Sequence, residues 1–153
     1  MYMFLKRSLL AFGLIFASTS LVFSSQDKNV ALVKSLSNYD YPTTRERLIK
    51  LVTDNGLTLL GEFDHAKAAR DAGLSMPPTT VLIFGNPKGG TPLMLTYPDL
   101  ALDLPFRVLI NQQHDGQVIV TFHQVEEFQR YGLNPASLQP LIKLELLVQK
   151  SIQ

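Results

Sequence analysis

Thirty residues near the middle of the chain constrain its fold most. Residues 79–108 read TTVLIFGNPKGGTPLMLTYPDLALDLPFRV, in which an apolar run, a glycine-rich stretch and a second apolar run follow in close order. Val81 to Phe84 has no polar alternation, which predicts a central strand buried on both sides. Gly89 and Gly90 predict a turn leading to an N-cap at Thr91 and to Pro92 at a first helical position. A functional site is expected in this block, because binding residues concentrate on such connections.

The first two dozen residues differ from the rest. Lys6 and Arg7 precede an apolar run without charges from Leu9 to Phe23, and a polar stretch follows. This order is typical of a secretory signal peptide. The run is shorter than the roughly 20 apolar residues of a membrane-spanning helix. We predict a signal peptide over residues 1–24, a single domain over 25–153, no stable membrane span after cleavage, and a periplasmic or secreted location. Cleavage is expected after Ser24 or, alternatively, after Ala17, Thr19 or Ser20.

The remaining chain is close to neutral and has no cysteine. Without Lys6 and Arg7, 12 of the 14 basic residues stand against 13 acidic ones, and they form no cluster in the sequence. Nucleic-acid binding requires a basic patch, so we exclude a nucleic-acid partner. A chain without cysteine has no disulfide bonds and no thiol nucleophile. The same fact excludes an iron–sulfur cluster and a CxxC redox site, and we assign no cofactor.

Apolar periodicity and turn residues predict the other elements. Thr43 and Glu46 indicate a capping box at the start of a helix that Gly56 ends. Asp115-Gly116 indicates a tight hairpin turn. The predicted elements are a strand over 30–37, a helix from about 43, a strand over 57–63, a short helix over 65–72 capped by Asp64, a strand over 81–84, a hairpin of 106–111 with 117–122, a helix over 125–131 and a long helix over about 138–150. This order predicts an α+β domain, with helices packed on one face of a mainly antiparallel sheet.

Four motifs together resemble a known family. They are FDHAKAARDAGL at 63–74, FGNPKGGT at 84–91, ALDLPFRVLI at 101–110 and Asp115-Gly116. In this order and spacing they resemble the domain-of-unknown-function family 302 over about residues 30–133. The resemblance implies a single α+β domain similar to TBP-like folds, with a long C-terminal helix and often a dimeric state. It implies no catalytic residue.

The glycine-rich stretch is the first candidate site. A nucleotide-binding P-loop is excluded, because Thr91 stands where the lysine after the last glycine is required. Backbone N–H groups at a helix start attract anions, and Lys88 adds a positive charge. The alternative is that these residues only shape a turn between a strand and a helix. Leu93, Met94, Leu95 and Tyr97 are interpreted as core, with a pocket wall as the alternative. The candidate ligand-binding residues are Asn86, Lys88, Gly89, Gly90 and Thr91.

Asp103 and Arg107 form the second candidate pair. Residues four apart in an extended segment lie on the same side, so the two side chains are expected to meet or to address one ligand beneath the glycine-rich loop. The alternatives are a structural ion pair and a pair that orients a small acid.

Histidines supply the only candidate for proton transfer. His65 lies at a helix start, where the helix dipole favours a neutral imidazole that can act as a base. The alternative is an exposed residue without a chemical role. A metal site joining His65 and His123 would require further converging ligands, so we assign no metal.

These observations favour a non-enzymatic, exported accessory domain that binds an unidentified small molecule, with an anion as the first candidate. One alternative is a small hydrolase, lyase or isomerase that uses His65 as base with Lys88 or Arg107. Another is a homodimeric interaction module without a ligand, because the leucines of residues 138–152 occupy more than one helix face.

Overall fold

The computed structural model describes residues 31–153, and the predicted signal peptide lies outside this range. The elements in chain order are β1 (Leu32–Leu36), α1 (Tyr41–Asp54), β2 (Thr58–Asp64), α2 (His65–Asp71), β3 (Thr79–Gly85), α3 (Pro87–Thr96), a 3₁₀ helix (Pro98–Leu102), β4 (Phe106–Gln112), β5 (Val118–His123), a second 3₁₀ helix (Val125–Tyr131) and α4 (Pro135–Ser151). Within residues 31–153, no helix is long and apolar enough to cross a membrane.

The five strands form one antiparallel sheet in the order β1-β5-β4-β3-β2. The middle strand is therefore β4, and β3 lies next to the edge strand β2. Leu82 and Phe84 of β3 are fully buried, whereas Val81 and Ile83 on its other face are only half-buried. The prediction that this run is a central strand buried on both sides is therefore wrong. An unbroken apolar run does not show whether both of its faces are covered.

The core lies between one face of the sheet and the helices α1 and α4. Leu48 and Val52 of α1 and Leu138 and Val148 of α4 join the inward-facing strand residues in one buried cluster. The opposite face carries half-buried side chains such as Leu109 and Thr121. The predicted α+β class, with helices on one face of an antiparallel sheet and a long C-terminal helix, is confirmed.

The structure confirms one predicted helix cap and corrects another. The carboxylate of Asp64 accepts a hydrogen bond from the Lys67 backbone, so the predicted cap of α2 is present. At α1 the cap is Asp40, whose Oδ1 accepts from the Thr43 backbone at 2.9 Å. The predicted capping box of Thr43 and Glu46 is wrong, because Pro42 fits the first turn and the helix begins two residues earlier.

The glycine-rich stretch folds as a helix. Asn86 is the N-cap of α3, Pro87 follows it, and both glycines lie within the helix. Thr91 and Pro92 are therefore interior residues, and the predicted turn with an N-cap at Thr91 is wrong. An asparagine followed by a proline is a strong helix start, and here it outweighs the low helix propensity of glycine.

The last turn of α4 is fastened to the segment between β1 and α1. The Asn38 backbone N–H and the Tyr39 hydroxyl donate to the carbonyls of Ile152 and Gln153, each at 2.9 Å. Arg47 donates to the carbonyl of Ser151. Because a helix ends with unpaired carbonyls, these contacts satisfy groups that α4 itself leaves open.

Candidate functional site

A cavity of about 500 Å³ lies where α3, the N-terminal half of α4 and the adjoining ends of β3 and β4 meet. We call it the α3–α4 cavity. Its lining residues are Leu57, Leu60, Phe84, Gly85, Asn86, Pro87, Gly89, Gly90, Thr91, Pro92, Leu93, Met94, Leu104, Pro105, Phe106, Ala136, Ser137, Pro140, Leu141 and Leu144. Leu93 and Met94 line this cavity, and Leu93 and Tyr97 also pack against the buried core. Leu95 is 79% exposed, so its interpretation as core is wrong.

The walls of this cavity are apolar. Among the described lining residues, only Asn86, Thr91 and Ser137 carry polar side chains. The side chain of Asn86 is engaged as a cap, because its Oδ1 accepts from the Lys88 backbone at 2.9 Å. The cavity therefore offers two hydroxyl groups on an otherwise hydrocarbon surface.

The backbone donors expected for an anion are occupied. Pro87 has no N–H, and the N–H groups of Gly89 and Gly90 both donate to the carbonyl of Asn86. Lys88 is exposed and does not line the cavity. The expectation of free amides at this point is wrong, because the supposed turn is the first turn of a helix that uses its own donors. Ligand binding by Asn86 to Thr91 stays a prediction.

Helix-breaking residues gather around the same cavity. Pro92 is interior to α3 and Pro140 is interior to α4, and both line it. Pro140 is the sixth residue of α4 and so lies beyond its first turn. An interior proline costs a helix roughly 3 kcal/mol. Gly89 and Gly90 weaken α3 further, and α3 has no fully buried side chain.

Asp103 is the centre of a separate polar cluster. Its side chain is only 7% exposed, and its Oδ1 contacts Arg107 Nη2 at 3.3 Å and His123 Nδ1 at 3.2 Å. Its Oδ2 accepts from the Tyr131 hydroxyl at 2.6 Å and from Arg130. Burial disfavours the charged form, but the hydrogen bonds from Tyr131 and His123 and the charge of Arg130 outweigh it. The pKa of Asp103 is therefore lowered.

Asp103 and Arg107 meet as the sequence predicted, but not beneath the glycine-rich segment. They line a second cavity of about 340 Å³, which we call the Asp103 cavity. Its lining residues are Leu32, Val81, Asp103, Phe106, Arg107, Leu109, Thr121, Phe122, His123 and Phe128. The two cavities share only Phe106 among their described lining residues. The side chain of Arg107, in β4, lies on the open face of the sheet, whereas that of Phe106 next to it points into the core.

His65 is distant from Lys88, and the strand β3 lies between β2 and Arg107, which is level with Gly61. Asp64, just before it, pairs with Thr80 at one end of β3, and Asn86 follows the other end. The seven residues of β3 separate these ends by about 20 Å at 3.3 to 3.4 Å per residue. His65 is exposed and packs against the Phe63 ring, with ring centroids 4.7 Å apart. His123 is three strands away, so the structure brings neither the imagined metal pair nor the His65–Lys88 pair together.

The sequence did not reveal Arg130, Tyr131 or His123 as partners of Asp103. They lie 20 to 28 residues away along the chain, and no periodic pattern marks them. The end of β5 places His123 beside Asp103, and the contact between the two 3₁₀ helices brings Arg130 and Tyr131 to it.

Known proteins are similar to this chain in sequence or in fold. The model of the family described as domain of unknown function DUF302 matches residues 33–150, which extends the resemblance through α4. The crystal structure of an uncharacterised conserved DUF302 protein from Bacillus stearothermophilus superimposes with a TM-score of 0.66 at 16% identity. That superposition covers 79% of this chain and 94% of the other, and at this identity it shows a shared fold.

Two curated relatives are longer proteins. Fluoride-specific ion channel FluC 1 of Brucella suis is 38% identical over 90 residues, which are 59% of this chain and 35% of that protein. Fluoride-specific ion channel FluC 2 of Brucella melitensis is equally similar over 33% of its length. The chain thus spans about a third of these relatives. Since the family model covers most of the described residues, the chain belongs to the DUF302 family of domains of unknown function.

Proposed function

We propose that this domain is a non-enzymatic, exported accessory domain that binds a small, largely apolar molecule in the α3–α4 cavity. The size and lining of that cavity carry the proposal. Ligand sites are typically clefts of about 300 to 1,000 Å³ with apolar walls and a few polar groups. The α3–α4 cavity has about 500 Å³, hydrocarbon walls, and the hydroxyls of Thr91 and Ser137.

The placement of unfavourable residues supports the same proposal. Sequences depart from local folding rules mainly at functional sites. Here two interior prolines and two helical glycines adjoin one cavity and lower helix stability, while no side chain of α3 is fully buried. A weakly held wall suits a site that must open for a ligand.

The chemistry of the walls determines the class of ligand. With the amides of Gly89 and Gly90 already paired, a free anion has few donors to replace its water. An apolar molecule with one hydroxyl or carbonyl group loses little on transfer, because Thr91 or Ser137 can pair with that group. An amphipathic neutral ligand therefore replaces the anion as the first candidate.

Filling the cavity provides the direct test. A Cβ placed at Gly90 meets Met94 Cε at 3.9 Å and Leu104 Cδ1 at 4.0 Å, which are ordinary contacts. Gly90→Leu extends into the cavity, and it favours the helix because glycine is about 1 kcal/mol worse than alanine there. We expect wild-type protein to enhance Nile red fluorescence and Gly90→Leu to lose this effect without losing stability.

Two matched variants separate cavity filling from other effects. Gly90→Ala adds the same helix preference with a single methyl group, so it should retain dye binding. Lys88→Ala removes the exposed cation and should also retain it. The proposal fails if Gly90→Leu binds the dye as wild type does, or if wild type gives no enhancement at all.

Export is part of the proposal and has its own test. The basic flank and apolar run before residue 24 support it. A C-terminally tagged chain should appear in the periplasmic or secreted fraction, shortened at its N-terminus. Replacing Leu14 and Ile15 with aspartate should retain the full-length form in the cytoplasm. A full-length wild-type product in the cytoplasmic fraction contradicts export.

The Brucella relatives favour a second candidate, an accessory role beside a membrane ion channel. These relatives are named fluoride-specific ion channels, and they are about three times the length of the matched segment. Deleting the gene for this chain in the organism that carries it should then lower growth in graded fluoride, and the wild-type gene should restore it. Unchanged fluoride tolerance after deletion excludes this role.

A further inference from the structure

The Asp103 cavity combines an excess of positive charge with apolar walls. One buried carboxylate, that of Asp103, faces two guanidinium groups, those of Arg107 and Arg130. With His123 neutral, the net charge of this cluster is therefore positive by one elementary charge. A structural ion pair needs only one cation for each carboxylate, so the second guanidinium is in excess of what Asp103 requires.

Arg107 can offer the excess positive charge to a ligand. It uses Nη2 for the carbonyl of Leu102 and for Asp103, while the structure of residues 31–153 shows no hydrogen bond from its Nε or Nη1. Its side chain is 47% exposed and that of His123 is 41% exposed. Because Nδ1 of His123 donates to Asp103, Nε2 of the neutral ring is an acceptor that the hydroxyl of Thr121 or a water molecule can satisfy. Both residues line the cavity.

The remaining side chains of the Asp103 cavity determine what the uncharged part of a ligand must be. Leu32, Val81 and Leu109 are apolar and Thr121 adds a hydroxyl. A phosphate dianion carries two negative charges, and the cluster has only one excess positive charge to offset them. The rest of the phosphate would contact the apolar side chains of the cavity. A carboxylate matches both the single charge and the planar fork of a guanidinium.

We propose that the Asp103 cavity, on the open face of the sheet, is a binding site for a small organic acid with a short apolar chain. Arg107 holds the carboxylate, and Leu32, Val81 and Leu109 cover the chain. Asp103 is a positioning residue, because it fixes Arg107 without contacting the acid. Arg130 pairs with the other carboxylate oxygen of Asp103 and so holds Asp103 in place. This site is separate from the α3–α4 cavity and does not depend on its ligand.

Calorimetric titration of the domain with hexanoate tests the proposal. Wild type should bind hexanoate, and hexanol and inorganic phosphate should each bind at least about tenfold more weakly, which is the factor that 1.4 kcal/mol represents. Arg107→Gln should lose at least about tenfold in affinity, whereas Arg107→Lys retains the charge and should lose less. Phosphate binding tighter than hexanoate overturns the choice of a carboxylic acid.

A second pair of variants leaves the Asp103 cluster intact. Thr121→Glu places a negative charge in the cavity and should abolish hexanoate binding, while Thr121→Gln, of the same size, should bind within about twofold of wild type. Circular dichroism and the unfolding midpoint establish that each variant folds. Equal binding by the Glu and Gln variants, or no heat from wild type with millimolar hexanoate, overturns the proposal. Gly90→Leu should bind hexanoate as wild type does, which distinguishes this site from the α3–α4 cavity.

Discussion

At the scale of single residues, Asp103 accepts hydrogen bonds from three separate segments of the chain. Arg107 belongs to β4, His123 ends β5, and Arg130 and Tyr131 lie in the second 3₁₀ helix. A buried carboxylate is costly unless it is paired in this way. Asp103 thus joins the open side of the sheet to the segment that leads into α4.

Asp103→Asn tests this role. The change keeps the shape of the side chain but removes the charge that two guanidinium groups share. A charge-assisted hydrogen bond contributes about 1.5 to 3 kcal/mol, so we expect the free energy of unfolding in urea to fall by about 2 kcal/mol or more. Asp99→Asn is the matched control, because Asp99 is exposed on the preceding 3₁₀ helix. An equal loss in both variants contradicts the role of Asp103.

The stabilisation from Asp103 should depend on acidity. Its pKa is lowered in the folded state from an ordinary value of 3.8. A lowered pKa means that the unfolded chain takes up the proton first as the pH falls. The stabilisation is therefore complete above this ordinary value and is lost as the pH falls through the folded value. The difference in unfolding free energy between wild type and Asp103→Asn should be constant near neutral pH and smaller at pH values below the ordinary one.

Glu145 should show the opposite dependence. Burial raises its pKa, only partly opposed by the hydrogen bond that it accepts from the Val125 backbone, and Glu126 raises it further. Its charged form is therefore disfavoured in the folded state, so this group costs stability as the pH rises through its folded pKa. Glu145→Gln keeps an acceptor for Val125 and should raise the thermal midpoint slightly at neutral pH. The gain should vanish at acidic pH, and a gain that is independent of pH contradicts this explanation.

At the scale of elements, α3 is the least supported helix beside either cavity. It has no fully buried side chain, two glycines and an interior proline. Local opening is expected where few apolar contacts oppose it. Amide hydrogen exchange in residues 88–96 should therefore be faster than in α1 and α4. A ligand of the α3–α4 cavity should slow exchange in α3 selectively, and uniform protection along all helices contradicts this view.

The elements also show what sequence reasoning can reach. Strands β2, β4 and β5 and the short helix α2 follow from alternation and from turn residues that act within a few positions. The helix α3 was read as a turn because glycines and prolines dominate it, and its cap lies outside the glycines. The order β1-β5-β4-β3-β2 and the partners of Asp103 depend on contacts between distant residues, which no local pattern records. Residues 86–91 were predicted as a site and do line a cavity, but much of its apolar wall comes from β2, β3, β4 and α4.

At the scale of the whole molecule, the dimer expected from the leucines of α4 stays a prediction. Leu138, Leu141, Leu144 and Val148 are buried in the core of the chain, whereas Leu146 is 58% exposed. The leucines on more than one face thus mostly serve the fold itself. Exposed apolar side chains also occur at Leu32 and Leu36 on the edge strand β1 and at Phe63 on β2.

Two substitutions in or after α4 separate folding from association. Ile152 is fully buried, and Ile152→Ala should cost about 2 to 5 kcal/mol of unfolding free energy. Leu146→Ala should change stability by no more than about 0.5 kcal/mol if the side chain faces water. Light scattering after gel filtration then gives the mass of each species. A smaller mass for Leu146→Ala than for wild type places Leu146 at an interface between two copies.

The fastening of α4 to the segment after β1 bears on when the chain can fold. β1 pairs with β5. Asn38, Tyr39 and Arg47 donate hydrogen bonds to the carbonyls of residues 151–153. Contacts so distant in sequence form late, so residues 32–47 are expected to gain these partners only after β5 and α4 have been synthesised. Until then, residues 32–47 lack the strand pairing and the hydrogen bonds that hold them in the folded domain.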